Sequence, residues 1–153
     1  MALVISVEDP RNEDMTRLLQ AHLDFCYSSS PPESVYALDV EKLVSPVITV
    51  FGARIDGELV GVGAIRQLDS DHAELKSMHT AISCRGKGVG RAMVSHLLEL
   101  AKQRGVSRVS LETGTNEAFK PARDLYDRFG FKPCEPFGDY LPHPISVCMT
   151  LFL

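Results

Sequence analysis

Three glycines at alternate positions, Gly86, Gly88 and Gly90, are interleaved with Arg85, Lys87 and Arg91 in the run Arg85-Gly86-Lys87-Gly88-Val89-Gly90-Arg91. Glycine has no Cβ, so backbone amides at these positions can approach a ligand closely. The run opens a long helical pattern, and the first amides of a helix point outward and carry the positive end of its dipole, a seat for phosphate. With three basic side chains around it, the stretch suits a pyrophosphate better than a single anion. Two other anion-binding loops do not fit. The triphosphate loop requires Ser or Thr after its lysine, where this chain has Gly88. The dinucleotide fingerprint Gly-x-Gly-x-x-Gly/Ala finds Arg91 or Met93 in its last place, depending on the starting glycine. Glu112 does stand where that fold has its ribose-binding acid.

The elements that must hold this loop are read from periodicity. Residues 3–7 read as a strand rich in β-branched side chains. Asp9-Pro10 predicts a helix start, and Met15, Leu18, Leu19, His22 and Phe25 then share one face. Residues 28–32, with two prolines, break that helix, and a short second helix is expected over 38–44. Strands at 47–55 and 58–68 flank Asp56-Gly57, a hairpin turn because both central residues tolerate positive φ. A third strand covers 73–81. In the long helix, Val89, Met93, Leu97, Leu100 and Ala101 form the apolar stripe, and Gly105 ends it. A strand at 108–112 comes next, then a helix from near Pro121 bearing Ala122, Leu125 and Phe129 and stopping at Gly130. A short strand near Phe131 and a closing strand at 145–152 complete the order. The prediction is an α/β fold with a mixed, mostly antiparallel central sheet flanked by helices.

Composition narrows the function. The chain has 153 residues, 44% of them hydrophobic and 24% charged, without repeats or low-complexity tracts, as one domain over 1–153 would have. A formal charge of −4 argues against nucleic-acid binding by counterion release. No apolar run reaches the ~18–20 residues of a membrane helix, and the first residues, Met1-Ala2-Leu3-Val4-Ile5-Ser6, lack the basic start of a secretion signal. A cytoplasmic protein is expected. Cys26, Cys84, Cys134 and Cys148 lie far apart, with neither disulfide-scaffold density nor metal-ligand spacing, so reduced thiols and no metal are expected.

The 85–90 run resembles the Arg/Gln-x-x-Gly-x-Gly/Ala signature of the GNAT superfamily, the acyl-coenzyme-A-dependent N-acyltransferases. Glu74-Leu75 on the strand before it, and Leu125-Tyr126 with Gly130-Phe131 beyond, are similar to further family features. Residues 74–78, 111–114 and 136–140 resemble a bacterial subgroup often labelled indole-acetic-acid acetyltransferase-like. The resemblance implies acetyl-CoA as co-substrate and an amine acceptor. It implies that Arg85, Gly86, Lys87, Gly88, Val89, Gly90 and Arg91 hold the pyrophosphate, and that the backbones of Met78, His79 and Thr80 pair with the pantetheine arm. Tyr126 would protonate the leaving thiolate. Many members carry an Asn seven residues before this Tyr, where this chain has Phe119; Asn116 lies ten before it.

An amine is protonated at neutral pH, so direct attack needs a base or a site that binds the neutral amine. The resemblance makes Glu74 the candidate, since it stands at the position of the catalytic glutamate of some members and a splay beside its strand would open its face to substrate; His79, Glu112 and Asp139 are reserves. Alternation puts Glu74, Lys76, Met78 and Thr80 on one face of that strand and Leu75, Ser77 and His79 on the other. A strand amide near Met78 would stabilise the oxyanion. Glu33, Asp39, Glu41, Glu135 and Asp139 make the acceptor region acidic and favour a cationic amine such as a polyamine or a lysine side chain. An edge strand at the carboxyl end could pair with a second copy to make a homodimer. The alternative function is a sensor that binds acyl-CoA or a nucleotide without turnover.

Overall fold

In the computed structural model, which describes residues 2–32 and 39–153, the chain runs β1 (Leu3–Val7), α1 (Glu13–Ser29), α2 (Val40–Leu43), β2 (Ile48–Ile55), β3 (Glu58–Gln67), β4 (His72–Thr80), α3 (Val89–Gln103), β5 (Arg108–Gly114), α4 (Lys120–Arg128), β6 (Lys132–Cys134) and β7 (Ser146–Phe152). Glu33 and Leu38, which entered the expectations for the acceptor region and the second helix, lie outside the described residues. The strands form one sheet in the order β1-β2-β3-β4-β5-β7-β6, antiparallel throughout except for β4 beside β5. This is the mixed α/β architecture expected, and the hairpin at Asp56-Gly57 has both residues at positive φ.

Each face of the sheet is covered by helix. On one, α3 buries Val89, Met93, Val94, Leu97, Leu98 and Ala101 against Ile65, Leu75, Val109 and Leu111. Gly63 permits that approach, since a Cβ there would come within 2.8 Å of Met93 Cγ. On the other face, Met15 and Leu19 of α1 pack with Leu43, Val50, Val62 and Ala64.

Three expectations are corrected. Helix α1 begins at Glu13, not beside Asp9, because the Asp9 carboxylate is taken by the Arg11 amide and guanidinium in a turn that delays the helix. The carboxyl-terminal strand is not an edge: β7 lies between β5 and β6, so the expected route to a homodimer is largely closed. Strand alternation along β4 fails at Ser77. There the ladder with β3 shifts, so that two steps from Val62 to Ala64 face three from His79 to Lys76, and Ser77 adopts φ +55°. The extra residue of this bulge re-aims the side chains beyond it. Met78 therefore packs with the α3 core, whereas His79 meets α1.

Candidate active site

The bulge lies where two strands part. β4 and β5 pair only over His72–Glu74 and Arg108–Ser110, so from Leu75 to Thr80 the β5-side edge of β4 has no strand beside it. A cavity of about 850 Å³ occupies this gap and runs between α1, α3 and α4. At one end lies the turn into α3, where Gly86 and Gly88 have φ of +78° and +83° and open space where a Cβ would stand. The first helical hydrogen bond, Ala92 N to Gly88 O, leaves the amides of Val89, Gly90 and Arg91 without intrahelical partners. Arg85, Gly86, Gly88, Val89, Gly90, Arg91, Met78, His79 and Thr80 all line the cavity; Lys87 is exposed and stands outside its wall. Arg85 leans toward α1, its guanidinium 5.5 Å from the Phe25 ring centroid and its Nε donating to the Thr80 carbonyl.

Tyr126 lines the same cavity from α4, and the local sequence fixes it there. The helix closes with Gly130 at φ +96°; the Gly130 amide donates to Asp127 O and the Phe131 amide to Tyr126 O. This double bond pattern with an apolar contact is the Schellman closure, and the contact is made by the Phe131 and Tyr126 rings, 5.9 Å apart. Burial pushes the Tyr126 hydroxyl well above the usual phenol range, helped by the charge of Glu112, so it stays protonated.

Glu74 is not where the splay would expose it. It sits on the last paired rung with β5, at the closed end of the gap, only 2% exposed and outside the cavity wall. Its carboxylate accepts from the Tyr140 hydroxyl and from Lys76 Nζ at 3.2 Å, and Lys76 also donates to the Tyr140 oxygen at 2.8 Å. Tyr140 and Lys76, not Glu74, reach the cavity. Glu112 also lines it; burial raises this carboxyl, while a hydrogen bond from Ser146 and the charge of Lys76 partly oppose the rise.

On the α1 side the Nδ1 atoms of His22 and His79 are 3.2 Å apart, one donating and the other accepting. Burial depresses both, His22 to about 3 with help from the His79 charge, and His79 to about 4 with help from Arg85. Both are neutral at pH 7. The Ser77 hydroxyl is buried at the cavity wall without a hydrogen-bond partner.

The model of the acetyltransferase (GNAT) family matches residues 12–131. This chain belongs to the GNAT family. It is 46% identical over 146 residues to the uncharacterized N-acetyltransferase YsnE of Bacillus subtilis, covering 95% of this chain and 97% of that one. It is 32% identical over 148 residues to the IAA acetyltransferase of Azospirillum brasilense, covering 96% and 95%. A Klebsiella pneumoniae structure described as an acyl-CoA N-acyltransferase superposes with a TM-score of 0.81 at 27% identity, covering 99% of this chain and 97% of that one. A GNAT acetyltransferase of Elizabethkingia anophelis solved with acetyl-CoA bound shares the fold, at a TM-score of 0.70, 16% identity and coverage of 99% and 98%. The chain is an acetyl-CoA-dependent N-acetyltransferase.

Against this family background, several residues of the GNAT site stand apart from the sequence reading. The Phe119 ring packs against Gly114, where a Cβ would come within 2.3 Å of it, and Asn116 donates to the Ser29 carbonyl. Asn116 is not part of the cavity wall. The acidic side chains stay out of the cavity wall: Glu41, Glu135 and Asp139 are exposed, Asp39 caps α2 through the Lys42 amide, and none of the four lines the cavity. Among the residues the sequence did not single out, Tyr140 and Ser77 are the most telling. Tyr140 lies in the 136–140 segment that resembles the subgroup; a serine at positive φ carries no signal in sequence.

Proposed function

We propose that this enzyme acetylates a primary amine by direct attack, that residues 1–153 act as one acetyltransferase domain, and that Tyr126 is the general acid. The observation that carries the reading is one continuous groove running from the unpartnered amides at the start of α3, along the free edge of β4, to Tyr126 and Glu112. The residues fit acetyl-CoA. Arg85, Arg91 and the amides of residues 88–91 would hold a pyrophosphate, the open space at Gly86 and Gly88 admits it, and the backbone of residues 78–80 would pair with an extended arm. The bound co-substrate supplies an acetyl thioester. In the balanced step the amine nitrogen bonds to the acetyl carbon, the C–S bond breaks, the sulfur takes a proton from Tyr126, and the amine gives one to a base.

Two carboxylates can take that proton. Glu74, the sequence candidate, is reached through Tyr140, whose hydroxyl bonds it from the cavity wall. Glu112 supports a second reading because it faces the cavity itself and burial moves its pKa toward the working range. The cytoplasm is the proposed compartment, where the four cysteines would remain the free thiols they are here.

Tyr126→Phe is expected to lower kcat on the order of 100-fold with coenzyme A affinity, measured by calorimetry, unchanged. Coenzyme A binding with no thiol release from acetyl-CoA across a broad amine panel would return the chain to the sensor reading. For the base, kcat/KM against pH separates the two carboxylates. Glu112→Gln should abolish the acidic limb while Glu74→Gln keeps it; the opposite pair of results assigns the base to Glu74.

A further inference from the structure

Among the described residues, two buried side-chain polar atoms have no hydrogen-bond partner, Asn116 Oδ1 and Ser77 Oγ. Asn116 lies outside the cavity wall, and its amide nitrogen is taken by the Ser29 carbonyl. Ser77 is in the wall, 8% exposed and at φ +55°. A serine there carries two unfavourable features, a left-handed backbone and a hydroxyl withdrawn from water, and glycine would carry neither. The polar groups on either side are already engaged. Lys76 Nζ donates to Glu74 and Tyr140, His79 Nδ1 is paired with His22, and the Thr80 carbonyl accepts from Arg85. Strain and an unsatisfied buried group, held together at one position inside a cavity, point to a partner that arrives with a ligand.

The order of residues along the groove identifies the ligand atom. Thr80 stands beside the anion seat: its carbonyl holds Arg85, and a Cβ on Gly90 would come within 3.7 Å of its Oγ1. From there the free edge of β4 runs back through His79 and Met78 to Ser77, toward the last rung with β5 at Glu74. An arm that leaves the pyrophosphate and pairs with the backbone of residues 78–80 therefore brings its far end, the thioester, beside residue 77. Attack by the amine puts negative charge on the thioester carbonyl oxygen, and a donor fixed in a water-excluded site stabilises that charge. Serine carries its hydroxyl on one rotatable bond, so a change of rotamer aims it at an oxygen lodged there.

We propose that the Ser77 hydroxyl is a catalytic donor to the thioester carbonyl oxygen, a side-chain partner to the strand amide expected near Met78. This rests on the acetyl-transfer reading above. The bonds made and broken are those of that step, and Ser77 keeps its proton throughout. The free enzyme holds this residue at a disadvantage in stability, and acetyl-CoA supplies the bond that its hydroxyl lacks.

Ser77→Ala keeps the side-chain carbon and removes only the hydroxyl, whereas Ser77→Gly also relieves the backbone. Both should lower kcat at least ~10-fold, measured by thiol release with the amine that the wild type uses best in a broad panel. Coenzyme A, which has no thioester carbonyl, should bind both variants with wild-type affinity in calorimetry, and neither variant should melt below the wild type. Infrared spectra of acetyl-CoA labelled with carbon-13 at the thioester carbonyl, bound without an acceptor, read the contact directly. The carbonyl stretch should lie at lower frequency on the wild type than on Ser77→Ala. Equal frequencies on the two proteins, or unchanged kcat in both variants, overturn the role. So does a lower Tm in Ser77→Ala, because the hydroxyl would then already have a partner within the fold. A fall in kcat confined to Ser77→Gly assigns the effect to backbone freedom at the bulge and also overturns it. Failure of coenzyme A to bind the wild type overturns instead the acetyl-transfer reading beneath the proposal.

Discussion

Ser77 concentrates the conflict between stability and site geometry. A non-glycine residue at φ +55° costs on the order of 1 kcal/mol, and its buried, unpartnered hydroxyl adds a desolvation cost of roughly 1–3 kcal/mol. Both are tolerated at the bulge that turns His79 toward α1 and shifts the register of β4 against β3. Glycine at this position relieves both costs and loses roughly 0.5–1 kcal/mol of chain entropy. Ser77→Gly is therefore expected to raise Tm by a few degrees in a thermal melt; a lower Tm would mean that the hydroxyl has a bond in the folded protein. This residue also marks where sequence reading failed. Glycines 86 and 88 announce positive φ by their identity, and Tyr126 by its neighbours. A serine held in a bulge by its surroundings announces nothing, and one unseen inserted residue exchanged the faces of Met78 and His79. The burial of Glu74 escapes the sequence for a related reason: which rung of a parallel ladder is the last is set by the two strands together, not by either segment alone.

At the scale of elements, the two turns that deliver chemistry were legible because glycine is required in both. The Leu125-Tyr126 and Gly130-Phe131 pairs are not independent features; the Phe131 amide closes onto the Tyr126 carbonyl, and its ring braces the tyrosine. Alanine at 130 would face φ +96° with its Cβ 3.4 Å from Leu151 Cδ1. Gly130→Ala should cost about 1 kcal/mol, read in urea, and lower kcat while the KM for acetyl-CoA holds, because the disturbed element carries the proposed acid and not the proposed anion seat. Gly88→Ala should show the converse. Its φ of +83° makes the backbone cost similar, with open space around it, but the loss should fall on coenzyme A affinity. Helix α1 illustrates the limit of local signals: Asp9-Pro10 has the chemistry of a helix start, yet Arg11 takes the aspartate first.

For the whole molecule, the cavity is a place where the fold holds ionisable groups in their uncharged forms, and stability should report this as pH changes. His22 and His79 have folded pKa values below the ordinary 6.5, at about 3 and about 4, because both are buried and face Arg85, and His22 also meets the charges of His79 and Lys76. Above pH 6.5 neither state binds these protons, and the stability is complete. As pH falls below 6.5 the unfolded chain takes up protons that the folded protein refuses, so stability drops, and the loss levels off only near pH 4 and 3. Glu112 works the other way. Its folded pKa is raised above the ordinary 4.5, so as pH falls through that value the folded protein gains a proton first and is relatively stabilised. Wild-type Tm should thus decline by several degrees between about pH 7 and 5, a His22→Asn/His79→Asn double variant should show a flatter decline, and Glu112→Gln a steeper one. Parallel curves for wild type and the double histidine variant would mean that the paired rings are already hydrated in the free enzyme.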